Sequence, residues 1–295
     1  MQRPFGCAQA PDICNLACVF AASAGDSDAT ASAPATIIFT IEQRRMKSLP
    51  KYAREGSSHN RVTSTSCSRW KRLPAQISEK TRAMKLPDPP LLLVTDRRQA
   101  RRALTEIVGS ALAAGCRWVS LREKDLPGDE QVLLARTLLT MTRRHDARLV
   151  LHGEAALAKL AGLDGVHLPS GSDPAAARKL LGPGKLIGLS IHTAPEAASI
   201  DPAFTDYAIA GPAFETPSKP GYGPEIGRKG LREMAAAARV PVLAIGGINS
   251  ARVGEVIASG CAGIAVMGGI MRAADPAREV KALTASLNGA LATKA

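Results

Sequence analysis

The chain has 295 residues, 45% apolar and only 3% aromatic, which allows one large domain or two ordinary ones around a core of Ala, Leu, Val and Ile. A formal charge of +12 raises nucleic acid as a partner, but half of the excess lies before Met84 with no basic stripe on a patterned element, so nucleic-acid binding is set aside. No apolar run approaches the ~20 residues of a membrane span, and a cytoplasmic protein acting on a small molecule is the expectation.

Residues 1–83 show neither a helical nor a strand period. Ser, Thr, Ala and Gly dominate one part, Lys, Arg and Ser the next. Composition of this kind predicts a disordered extension. Asp12 before the short apolar stretch Val19–Ala24 argues against a secretory signal, and the acidic residues Asp26, Asp28 and Glu42 argue against an organelle transit peptide. The abrupt change to patterned sequence at Met84-Lys85-Leu86 marks Met84 as the expected natural start and 84–295 as one folded domain. Cys116 and Cys261 sit alone in apolar surroundings and read as buried small hydrophobes. No cysteine pair has zinc-ligand spacing.

From Leu91 onward, short apolar runs alternate with helical stretches. The strands are expected at Leu91–Thr95, Trp118–Arg122, Leu149–Leu151, Gly165–Leu168, Leu186–Ile191, Tyr207–Ala210, Val240–Ile245 and Gly263–Val266. Helices are expected at Gln99–Ala114, Asp129–Arg144, Glu154–Ala161, Pro174–Leu181, Thr193–Ser199, Gly230–Arg239, Ser250–Ser259 and Pro276–Leu291. Continuous apolar strands imply a parallel sheet covered on both faces. About eight βα units in roughly 200 residues is the size of a TIM barrel, an α/β fold; a doubly wound open sheet is the alternative. Gly246-Gly247 and Gly268-Gly269 follow the seventh and eighth strands, where barrels bind phosphate through backbone N–H groups that no side chain obstructs. Gly221-x-Gly223-x-x-x-Gly227 has the wrong spacing for a dinucleotide fingerprint.

The chemistry-bearing residues gather at strand ends. Arg122 and Lys124, two residues apart after the second strand, fall on one side and suit clamping an anion. The sixth strand runs into a loop rich in Gly and Pro that carries Glu215, Thr216, Ser218 and Lys219; Lys219 can approach the same cup. His192 ends the fifth strand and is a candidate acid/base group, against an N-cap role for the following helix. His152 ends the third strand, and His167, inside the fourth, reads as core. Carboxylates are scarce at the strand ends, so no metal cluster is expected.

These residues carry a resemblance. Val94-Thr95-Asp96-Arg97, Leu121-Arg122-Glu123-Lys124-Asp125, Gly165-Val166-His167-Leu168, Ile187-Gly188-Leu189-Ser190, Gly211-Pro212-Ala213-Phe214, Thr216-Pro217-Ser218-Lys219-Pro220 and Ala244-Ile245-Gly246-Gly247-Ile248 occur in that order. From about Leu91 to Ala273 the chain resembles the thiamine phosphate synthase/TenI family of TIM barrels. The synthase of that family joins an aminopyrimidine diphosphate to a thiazole phosphate and releases pyrophosphate. The TenI branch includes a thiazole tautomerase. The resemblance implies that Arg122 and Lys124 hold pyrophosphate and that Thr216 and Lys219 contact thiazole phosphate and pyrophosphate. It further implies that Gly246, Gly247, Met267 and Gly268 bind the thiazole phosphate, and that Ser190 is the fifth-strand serine.

Three departures accompany the matches. Ser120 stands where the synthase reads the pyrimidine with Gln. His152-Gly153 replaces Asn-Asp, whose Asp is a magnesium ligand. Leu168-Pro169-Ser170-Gly171-Ser172-Asp173 replaces a stretch holding the second acidic ligand, with only a displaced Asp173 left. The last two replacements resemble the TenI branch, which implies a metal-independent tautomerase with His192, Arg122 and Lys124 as catalytic residues and no cofactor. That branch is the favoured expectation, ahead of a magnesium-using synthase and of a non-catalytic regulatory binder. A homo-oligomer is allowed but not required.

Overall fold

The computed structural model describes residues 85–216, 218 and 225–294. The expected extension at 1–83, the expected start at Met84, and Lys219 lie outside the described residues. Eight parallel strands close into a barrel in chain order: β1 (Leu91–Val94), β2 (Trp118–Leu121), β3 (Arg148–His152), β4 (Gly165–Leu168), β5 (Leu186–Ile191), β6 (Tyr207–Ala210), β7 (Val242–Ile245) and β8 (Gly263–Val266). The helices around it are α1 (Leu104–Ala113), α2 (Gly128–Arg143), α3 (Ala155–Leu160), α4 (Pro174–Leu181), α5 (Ala194–Ala198), α6 (Gly227–Ala237), α7 (Val253–Ala258), α8 (Gly268–Met271) and α9 (Pro276–Lys294). The expected TIM barrel is the fold.

Strand alternation divides the core in two. Leu92, Val94, Trp118, Val150, Tyr207, Ile209 and Leu243 point into the barrel, while Leu91, Leu93, Val119, Leu149 and Leu151 pack outward under the helices. Both faces are therefore apolar, which is why the strands read as unbroken runs. Gly188 makes the interior fit. A Cβ there would lie 2.1 Å from the Tyr207 ring and 2.5 Å from His167 Nδ1, so only glycine admits both rings.

Local hydrogen bonding shifts several expected boundaries. The first helix starts at Leu104, because the Asp96 side chain accepts from Arg98 N and caps a separate 3-10 turn at Arg97–Gln99, after which Ala100 is extended. Asn249 likewise caps a 3-10 turn at Ser250–Arg252 ahead of α7. Pro241 has no N–H to give to a ladder, and β7 begins one residue after it.

Two aspartates tie the strands together at the end opposite the cup. Asp164 accepts from Leu149 N at 2.8 Å and pairs with Arg143 and Arg148; Asp206 accepts from Ile187 N at 2.7 Å and pairs with Arg178. The arginines differ in exposure. Arg143 and Arg148 are 50% and 52% exposed, whereas Arg178 is 15% exposed. Asp206→Ala strands a buried charge and is expected to cost about 3–5 kcal/mol. Asp164→Ala leaves solvated arginines and an unpaired amide, for about 1–3 kcal/mol. Urea denaturation of both variants measures the difference, and equal losses would contradict this account.

Candidate active site

A cavity of about 590 Å³ opens at the C-terminal ends of the strands. Arg122, Lys124, His152, Ser190, His192, Thr216, Gly246, Gly247, Met267 and Gly268 all line it. They come from six strand ends, because inward alternation continues past each strand: Trp118 and Ser120 face in, and so do Arg122 and Lys124.

The Arg122–Lys124 pair is held from behind. Glu123 between them is buried and accepts from Thr95 Oγ1 at 2.7 Å and from Arg97 N at 3.0 Å, while Thr95 Oγ1 accepts from Arg122 N at 2.9 Å. Burial raises the Glu123 pKa, opposed by the Arg97 N–H and the Thr95 hydroxyl. This network locks the end of β1 to the end of β2 and turns the two cations toward the cavity. Desolvation, and then Arg122, lower the Lys124 pKa.

His167 is buried as expected, yet it also forms the cavity floor. Its Nε2 lies 2.9 Å from Ser190 Oγ, and its ring is 4.9 Å from His152 and 5.6 Å from Tyr207. Burial, reinforced by Lys124, pushes its pKa down to about 3, so the imidazole is neutral at physiological pH. His192 stands at the exposed rim, where its Nδ1 donates to the Gly211 carbonyl at 2.6 Å. The N-cap of α5 is Thr193 instead, in a capping box with Glu196. Burial alone would raise the Glu196 pKa, but hydrogen bonds from His192 N, Ser170 Oγ and Thr193 N bring it below the ordinary value.

Glycine shapes the cup at the end of β7. Gly247 has φ +63°, and a Cβ on it would meet Glu215 O at 2.4 Å. Two arginines escaped the sequence reading. Arg252 reaches the cavity from the 3-10 turn after β7, donating to Gly247 O at 3.0 Å and lying 4.6 Å over the Phe214 ring. Arg272 reaches it from the end of α8, a short helix whose composition carries no period to find. Ser120, by contrast, is fully buried and does not line the cavity.

The family resemblance implies a magnesium site at the ends of β3 and β4, where donors are few. The β3 end offers His152-Gly153 and the β4 end Leu168-Pro169. The carboxylate of Asp173 is exposed and accepts from Ala175 N and Ala176 N, capping α4 away from the cavity. Among the described residues no three His, Cys, Asp or Glu side chains are placed to hold a metal. The donor set does not fit a carboxylate-held magnesium ion.

Fold and cup together define a (β/α)8 barrel with a pocket lined by side-chain cations at the C-terminal ends of its strands. The chain belongs to the thiamine monophosphate synthase family, whose model matches residues 91–270. A thiamine-phosphate synthase of Roseiflexus sp. (strain RS-1) is 39% identical over 205 residues, covering 69% of this chain and 87% of that one. A thiamine-phosphate synthase of Moorella thermoacetica (strain ATCC 39073 / JCM 9320) is 37% identical over 193 residues, covering 65% and 92%. The solved thiamine phosphate pyrophosphorylase from Pyrococcus furiosus superposes with a TM-score of 0.61 at 31% identity, covering 68% of this chain and 96% of that one.

These relatives correct the favoured tautomerase expectation, since they carry the synthase name at 37–39% identity. That expectation rested on two strand ends, β3 and β4. No helix among the described residues is long and apolar enough to cross a membrane.

Proposed function

We propose that this chain is a thiamine-phosphate synthase, joining an aminopyrimidine diphosphate to a thiazole phosphate with release of pyrophosphate. The observation that carries the reading is the charge of the cup. Arg122, Lys124, Arg252 and Arg272 line it, against Glu215 as the one carboxylate among its described lining residues. Such a surface fits two phosphorylated substrates and a leaving group that gains negative charge. As the C–O bond to the diphosphate breaks, its electron pair goes to the departing oxygen, and the new C–N bond forms to the thiazole nitrogen. In this reading Arg122 and Lys124 stabilise that oxyanion, and Lys219 is their expected companion. Gly246, Gly247, Gly268 and Thr216 seat the thiazole phosphate, with Met267 at the edge of that seat. Ser190, held by His167, offers a hydroxyl to the pyrophosphate, and His192 shapes the rim.

Incubating the full chain with both substrates is expected to yield thiamine phosphate and pyrophosphate in equal amounts, measured by chromatography and a coupled pyrophosphate assay. Binding of both substrates without product would refute the reading.

A further inference from the structure

We propose that Arg272 binds phosphoryl oxygens of the substrates directly, and that with Arg122 and Lys124 it neutralises them without a carboxylate-held divalent cation. The inference deepens the synthase reading and rests on it.

The donor set supplies the first argument. Magnesium in a phosphate site is normally held by one or two carboxylates together with the phosphates. Here the β3 end presents His152-Gly153, and Asp173 is committed to capping α4. The charge of a diphosphate must then be met by side-chain cations.

The surroundings of Arg272 supply the second. Its Nη1 donates to the side-chain oxygen of Gln99 and to Ser218 Oγ at 3.1 Å, while Ser218 Oγ donates to the same Gln99 oxygen at 2.9 Å. The guanidinium is thus aimed by two neutral groups from the loops after β1 and β6. No carboxylate among the described residues pairs with it. An unneutralised guanidinium lining a cavity is a ready fork for a phosphoryl group. Charge-assisted bonds to such a group are roughly twice as strong as those to neutral partners.

Position supplies the third. A Cβ on Gly268 would lie 2.4 and 2.5 Å from the two terminal nitrogens of Arg272, so the guanidinium rests against the backbone after β8. That backbone lines the cavity with Gly247. Arg252 is differently placed, already engaged with Gly247 O and the Phe214 ring. Arg272 is the arginine positioned to receive a ligand.

The test is calorimetric titration of the full chain with inorganic pyrophosphate, and separately with inorganic phosphate, first in EDTA and then in excess Mg²⁺. Pyrophosphate is expected to bind in EDTA, within about threefold of its affinity in Mg²⁺. Arg272→Gln is expected to weaken binding of at least one anion by about tenfold or more, and Arg272→Lys, which keeps the charge but loses the fork, by less. A loss confined to pyrophosphate assigns Arg272 to the diphosphate; a loss confined to phosphate assigns it to the thiazole phosphate.

Two results overturn the inference: unchanged affinities in Arg272→Gln, or pyrophosphate binding seen only with Mg²⁺. Should Arg272→Gln fail to fold, Arg272→Lys supplies the comparison, and unchanged affinities there count equally against it. Product formation in the synthase assay is read separately. A working synthase that binds pyrophosphate only with Mg²⁺ would sink this inference and leave the synthase reading standing.

Discussion

Replacing Lys124 with alanine is expected to lower kcat/KM for thiamine phosphate formation by about 10²–10³-fold while leaving thermal stability nearly unchanged. Removing one preorganised stabiliser of a developing oxyanion typically costs this much. The side chain projects into the cavity from the loop after β2, whose backbone is pinned by Glu123, Thr95 and Arg97, so truncation removes charge without loosening its support. Arg122→Ala should behave similarly. The double variant should lose less than the product of the single losses, because the two cations serve one anion. Steady-state kinetics with melting curves checks this. Retention of more than about a tenth of wild-type kcat/KM by Lys124→Ala would remove it from the catalytic role.

The second large effect is on acid stability, through His167. Its pKa falls from the ordinary 6.5 to about 3 in the folded protein, because burial, and then Lys124, disfavour the imidazolium. Below pH 6.5 the unfolded chain takes up a proton that the folded chain refuses. The contribution of neutral His167 is therefore complete above about pH 6.5 and is lost as pH falls toward about 3, at about 1.4 kcal/mol per unit.

Between pH 8 and pH 5 this amounts to about 2 kcal/mol, a sizeable part of the 5–15 kcal/mol that typically separates folded from unfolded. His167→Gln cannot titrate, so its stability at pH 8 should be lower, through lost packing and the lost Ser190 contact, while its loss on going to pH 5 should be smaller by that 2 kcal/mol. Urea denaturation at both pH values measures it. Parallel pH profiles for the two proteins would refute the assignment. Lys124→Ala should also raise the His167 pKa, so that its acid loss begins at the same pH but ends at a higher one and is smaller in total, which ties the two predictions together.

Much of the site was legible because barrel strands place function by position. Arg122 and Lys124 could be put on one side of a strand end from their spacing alone, and the glycine pairs after the seventh and eighth strands do line the cup. Arg252 and Arg272 were not legible. Each follows a short turn whose direction depends on caps and on the loop it meets, and neither turn has a periodic pattern. His167 shows the same limit from the other side. A fully apolar strand says that a histidine is buried, but the curvature of the closed sheet decides that it floors the cavity.

The branch of the family was misjudged for a related reason. Gly153 and the stretch Leu168-Pro169-Ser170-Gly171-Ser172 point to a different reaction when two strand ends are weighed alone, whereas relatives named as synthases match over most of the barrel.

The sequence by itself therefore determined the barrel, its strand order and several strand-end residues that line the cup, because strand period and βα alternation are properties of neighbouring residues. Only the tertiary structure decided which charges share the cup. That depends on how loops far apart in the chain converge: Gln99, Ser218 and Arg272 meet in one cluster across more than a hundred residues of chain. It also decided that Asp173, whose Oδ1 accepts from Ala175 N and Ala176 N, caps a helix away from the cavity.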